Sequence, residues 1–168
     1  KHVKKLNAGK VFDTIVNTAW KCGDPGIIFI DEINRKNTIP NAGIIEASNP
    51  CAEQPLLNYE SCNLGSINLT KIVKSGEIDF NKLKNIVKTA VHFLDNVIDV
   101  NNFAISKVET ETLKNRKIGL GIMGFAEMLI MLEIPYDSQD ALDTAEEIMK
   151  FITYHAKKAS AELGRLRG

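Results

Sequence analysis

The chain has 168 residues, enough for one domain with a real core and short for two. Its 21 basic and 21 acidic residues cancel, so charge alone gives no footprint for nucleic acid or a membrane surface. With 44% apolar residues and no apolar run near the ~20 residues of a membrane span, the composition is that of a soluble globular protein with no signal-like leader.

Val11, Phe12, Ile15, Val16 and Ala19 recur at helical spacing and predict a helix over residues 10–22, stopped by Gly23-Asp24-Pro25-Gly26. Ile27-Ile28-Phe29-Ile30 is a continuous β-branched and aromatic run, read as a strand buried on both faces. Residues 31–62 hold three prolines and little periodicity, and a loop of that length in a compact domain is usually functional. A second strand is expected over 63–69. Leu83, Ile86, Val87, Ala90, Leu94, Val97 and Ile98 then trace one face of a long helix over 79–101.

A third short strand is expected at 118–122, followed by a helix from Phe125 to Leu132. Pro135-Tyr136-Asp137-Ser138 closes that unit, with Asp137 or Ser138 capping a last helix. The inner face of that helix is read as Leu142, Ala145, Ile148, Met149, Ile152, Ala156, Ala159 and Leu163. Strands alternating with helices give an α/β class with a mainly parallel sheet. The start at Lys1 and the abrupt stop at Arg165-Leu166-Arg167-Gly168 read as a fragment, with 1–168 forming a single piece of one domain.

Three cysteines, Cys22, Cys51 and Cys62, are too few for a disulfide-stapled secreted scaffold, so a cytoplasmic protein with catalytic or redox thiols is the default. Chemistry concentrates in Ser48-Asn49-Pro50-Cys51-Ala52-Glu53-Gln54-Pro55. There an amide, a thiol and a carboxylate occupy alternate positions, and an extended segment would project all three the same way. They offer a sulfur reactant, an acid or base and a neutral hydrogen-bonding partner. On spacing alone, a surface loop with a buried, inert cysteine fits equally well.

Eleven residues after Cys51 lies Cys62, within Glu60-Ser61-Cys62-Asn63-Leu64-Gly65-Ser66-Ile67-Asn68-Leu69. The run from Asn49 through Leu69 resembles the active-site signature of ribonucleotide reductases, and its wording resembles the adenosylcobalamin-dependent class. The resemblance extends to Gly23-Asp24-Pro25-Gly26-Ile27-Ile28-Phe29-Ile30-Asp31 and to Arg116-Lys117-Ile118-Gly119-Leu120-Gly121-Ile122-Met123-Gly124-Phe125-Ala126, covering residues 10–160. Ala52 departs from the family, which often has glycine there, and would resist a positive φ; Asn58 stands where proline is common.

The resemblance implies part of a ten-stranded α/β barrel with the catalytic loop inside it, and reduction of ribonucleotides, with a lean to diphosphates. It implies a thiyl radical at Cys51 that takes hydrogen from C3′, generated by cobalt–carbon homolysis in adenosylcobalamin. Glu53 would accept the 3′-hydroxyl proton, and Asn49 would bond the ribose oxygens. Asn49, Pro50, Cys51, Ala52 and Glu53 would contact substrate. Cys62, with a second cysteine from outside this chain, would supply two reducing equivalents and end as a disulfide. A thioredoxin-like reductant and a homodimer of the full-length chain complete the picture.

Within the family the alternative is the class whose radical comes from a separate subunit. Outside it, Gly119-Leu120-Gly121-Ile122-Met123-Gly124 fits G-x-G-x-x-G and would suggest a dinucleotide-binding domain, provided a longer strand precedes Gly119. A non-catalytic module is a third reading. His2, His92 and His155 share no ligand spacing with the cysteines, so no metal site is expected, and Cys22 beside Trp20 reads as packing.

Overall fold

The computed structural model describes residues 4–167; His2 lies outside the described residues. The chain forms two compact units, Lys1–Asn58 and Tyr59–Gly168.

In the first unit, α1 (Ala8–Cys22) begins at Asn7, whose side-chain oxygen accepts the Lys10 N–H at 3.1 Å, and ends at Gly23 in the left-handed conformation. Its start and stop follow the sequence reading, but none of its residues is buried. Cys22 is exposed and donates to the carbonyls of Thr18 and Asp24 instead of packing, and its neighbour Trp20 is 82% exposed.

The strand expected at Ile27–Ile30 does not form. A doubly buried strand needs a ladder on both edges, and no described strand pairs with it, so Phe29 stands 74% exposed. Ile30 instead opens α2 (Ile30–Arg35), where Asp31 and Glu32 suit the positive end of a helix.

The long segment that follows is stitched by asparagines. Asn34 exchanges two hydrogen bonds with the backbone of Ile45, at 2.8 and 2.9 Å, and Asn37 donates to the Gly43 carbonyl at 3.0 Å. These bonds bring the chain into a small antiparallel hairpin, β1 (Ala47–Ser48) against β2 (Pro55–Leu56), with Ala47 opposite Leu56. Ile45 and Leu57 are the buried apolar residues beneath it.

The second unit has a parallel core pair. β3 (Asn63–Asn68) runs beside a strand 55 residues later, with Asn63 opposite Ile118. After β3 come a 3₁₀ turn at Leu69–Ile72 and the tight hairpin β4 (Val73–Lys74) and β5 (Glu77–Ile78). The crossover then uses α3 (Phe80–Val100), capped by Asp79, and α4 (Ser106–Asn115). It returns through β6 (Ile118–Met123) to α5 (Phe125–Met131) and the long α6 (Gln139–Arg167). Ser138 caps α6, its hydroxyl accepting the Ala141 N–H at 3.2 Å.

Ile67, Leu69 and Ile72 meet Leu83 and Val87 of α3, Met128 and Leu129 of α5, and Ile148 and Ile152 of α6 in one apolar core. The inner stripe of α6 sits slightly off the expected face: Ala141 is buried and Leu142 is exposed. Gly124 has φ +73°, and a Cβ there would stand 2.8 Å from Asn68 Oδ1, so only glycine fits between β6 and α5. The class is mixed α/β as expected, but in place of a mainly parallel sheet the described residues form one parallel pair and two antiparallel hairpins. Among the described residues the strands pair two by two, and no closed barrel is formed.

Candidate active site

The loop that the sequence singles out is the connection of the β1–β2 hairpin, residues 49–54. It is not extended. Ala52 N–H bonds the Asn49 carbonyl at 3.0 Å, closing a β-turn with Pro50 and Cys51 at its two central positions. Asparagine and proline favour the first two positions of such a turn, and here they outweigh the alternation that suggested a strand. Ala52 follows at φ 64°, the left-handed conformation that the sequence expectation named as its difficulty.

The turn leaves Cys51 exposed as a free thiol, with Glu53 also exposed. Asn49 Oδ1 accepts the Gln54 N–H at 3.0 Å, which ties the loop's two ends and commits the amide oxygen. The amide nitrogen of Asn49 keeps its capacity to donate.

Cys62 lies in the other unit, just before β3, half-buried and free. Its thiol donates to the Asn63 carbonyl at 3.3 Å. Burial pushes its pKa up to about 11 from 9.0, against the smaller pull of Lys117, with Glu60 adding to the rise. Around it stand groups that the sequence reading left unused. Glu60, whose side chain is fully buried, takes Lys117 Nζ at 2.5 Å on one oxygen and Asn115 Nδ2 at 3.2 Å on the other. Ser61 and buried Thr112 share a 2.7 Å hydroxyl bond. Asn63 donates to the Leu94 carbonyl at 3.0 Å, while its buried Oδ1 has no partner among the described residues.

The sequence signal for Glu60 was its place two residues before Cys62, one strand period away. Lys117 appears in the sequence reading only within the segment Arg116–Ala126 that resembles the family, with no role attached. Nothing in the linear sequence shows that β6 lies against β3.

Beside this cluster, Arg116 bonds Asp95 at 2.8 Å and Asp99 at 2.8 Å, and hydrogen bonds to these two hold it firmly protonated. Arg167 also pairs with Asp95. These residues line a cleft of about 620 Å³ between α3 and the end of α6.

The G-x-G-x-x-G reading fails on geometry. Gly119 and Gly121 lie inside β6, paired with Leu64 and Ser66, and not in a turn between a strand and a helix where a pyrophosphate would sit.

The family model for the ribonucleotide reductase barrel domain matches residues 1–168. A vitamin B12-dependent ribonucleoside-diphosphate reductase from Thermoplasma acidophilum is 55% identical over 169 residues, covering 100% of this chain and 22% of that protein. One from Mycobacterium tuberculosis is 47% identical over 168 residues, covering 100% of this chain and 24% of that protein. A ribonucleoside-diphosphate reductase subunit alpha from Chlamydia pneumoniae is 36% identical over 169 residues, at 98% of this chain and 16% of its own. The chain thus spans less than a quarter of the length of these relatives. Matched along its whole length by the model of the barrel domain, the chain belongs to the ribonucleotide reductase family.

Proposed function

We propose that this chain is the radical- and thiol-bearing part of an adenosylcobalamin-dependent reductase that converts ribonucleoside diphosphates to 2′-deoxyribonucleotides. The observation that carries the reading is the identity of 47–55% to reductases named as vitamin B12-dependent, against 36% for the relative named as a subunit alpha. That gap favours the cobalamin class over the class whose radical comes from a separate subunit. Both compact units are read as parts of one catalytic domain.

The overall reaction consumes a ribonucleotide and two thiols and gives a deoxyribonucleotide, a disulfide and water. A ribose 2′-hydroxyl is a poor leaving group until a radical forms at C3′. Cys51 is suited to take that hydrogen and return it, because S–H and C–H bonds have similar strength. At the tip of this turn Cys51 is exposed, where the resemblance implied a place inside a barrel. Adenosylcobalamin, when bound, supplies the initiating radical by homolysis of its cobalt–carbon bond.

Glu53 takes the 3′-hydroxyl proton as general base. Asn49 acts as a donor, through Nδ2, since its oxygen is already committed to Gln54. Pro50 and Ala52 form the substrate-facing turn. Cys62 and a cysteine other than Cys22 provide the two electrons, and a thioredoxin-like protein re-reduces them. The complete protein is read as a cytoplasmic homodimer; no described helix is long and apolar enough to cross a membrane.

The test is deoxynucleotide formation by the complete protein. Activity should require adenosylcobalamin and no second subunit, and Cys51→Ser should abolish it with the fold intact. Glu53→Gln should lower the rate about 10²–10⁴-fold with little change in substrate affinity. Product formed by the Cys51→Ser protein, or an absolute need for a radical-donating subunit, would overturn the assignment.

A further inference from the structure

We propose that Glu60 and Lys117 are positioning residues for Cys62: a paired carboxylate and ammonium, fixed beside the thiol, that balance each other so that it meets its substrate as a neutral S–H. The inference rests on the reading of Cys62 as a reductant and adds residues that this reading does not include.

The placement comes from the strand ladder. The parallel pairing of β3 with β6 opens at Asn63 opposite Ile118, so Cys62 immediately precedes one strand and Lys117 immediately precedes the other. Glu60, one strand period before Cys62, reaches the same lysine at 2.5 Å with its side chain wholly out of solvent. Asn115 secures the second carboxylate oxygen.

Burying an ion pair is costly, and a well-packed apolar pair of similar volume often serves stability as well or better. Here the carboxylate is fully buried and the ammonium 21% exposed, and a pair of charges next to a thiol acts on that thiol as well as on stability. The ammonium favours thiolate and the carboxylate opposes it, so Glu60 counters the pull of Lys117 and burial, the largest influence, decides the outcome. The nearby Arg116 is engaged by Asp95 and Asp99, and Arg167 by Asp95, which leaves Glu60 and Lys117 as the charges acting on Cys62.

The chemistry has a use for that balance. Two thiols must deliver two electrons and two protons to replace C–OH by C–H and release water. A thiol brings both together, whereas a thiolate brings the electron alone and leaves the proton to be found elsewhere.

The test reads the thiol directly, in the complete protein. The rate of Cys62 alkylation by iodoacetamide would be followed against pH, with the labelled peptide quantified by mass spectrometry. Glu60→Gln leaves Lys117 uncompensated and should move the profile to lower pH, raising the rate at pH 8 by roughly 3–10-fold. Lys117→Gln should move it the other way and lower the rate, and Lys117→Arg should restore the starting profile. If Glu60→Gln does not fold, the double variant Glu60→Gln/Lys117→Gln serves in its place and should lie close to the unmodified protein.

Shifts in the same direction for both single variants would mean loosened packing and would overturn the proposal. So would a flat profile in all of them, or a double variant displaced far from the start. Cys62→Ser separates this from the underlying reading. Deoxynucleotide formation that survives that change removes the reductant role while the alkylation shifts stand. A dead Cys62→Ser protein with unmoved profiles removes only the role of the pair.

Discussion

Ala52 adopts a conformation that costs an L-residue about 1–2 kcal/mol and glycine almost nothing. Ala52→Gly trades that relief against about 0.5–1 kcal/mol of extra chain entropy, so its urea midpoint should stay near the original. Ala52→Val should fall by more, since a β-branched residue resists positive φ. Equal midpoints for the two variants would show that the turn relaxes freely. Cys62 gives a pH dependence. Its folded pKa, pushed up to about 11 from 9.0 mainly by burial, lies above the unfolded value. The stability gained from burying the neutral thiol is therefore complete below pH 9 and lost as pH rises toward 11. Urea midpoints should drop more steeply over that interval in the parent than in Cys62→Ala, and parallel curves would remove the effect. The loop at 49–54 stands out in the sequence because Asn49, Cys51 and Glu53 resemble a family signature. Their conformation does not follow from the alternation, because Asn49-Pro50 favours a turn more strongly than a period of two favours a strand.

α3 and α6 show what periodicity can and cannot deliver. The α3 stripe of Leu83, Val87, Leu94 and Ile98 is buried where the spacing put it, because one helix face meets one core. α4 went unseen: only Thr112 of its ten residues is buried, so its pattern is almost wholly polar. The strand at Ile27–Ile30 was over-read because an apolar run records a need for burial and does not say what supplies it. The two-residue strands β1, β2, β4 and β5 are too short to leave a period. Capping gives the test at this scale. Asp79 Oδ1 accepts the Lys82 N–H at 2.8 Å at the start of α3, so Asp79→Ala should cost about 1 kcal/mol, read as a lowered urea midpoint. Asp79→Asn should recover most of that loss, and an unchanged midpoint for the alanine variant would deny the cap its role.

Across the second unit, α3, the end of α4 and the end of α6 are joined by charge as well as by apolar packing. Arg116 sits in the left-handed conformation at the close of α4 and from there reaches Asp95 and Asp99 on α3. Arg116→Ala leaves mostly buried Asp95 with fewer partners, so it should destabilise the unit by about 2 kcal/mol, visible as a lower melting temperature. Asp99→Ala should lower the melting temperature by less, because that carboxylate is about half exposed and screened by solvent. A reversed order of the two would show that burial does not govern the network.

The parallel pairing of β3 with β6 also bears on which changes of length the chain can absorb. Residues lost or gained in the bend between α3 and α4 alter only how the crossover is spanned. A single residue added between Arg116 and Ile118 would instead re-index one strand against the other, turning its side chains to the opposite face. Lys117 would then no longer meet Glu60, although every residue of the signature around Cys62 would be unchanged. The spacing of the two residues before β6 is thus as much a constraint on the thiol as the residues that flank it in sequence.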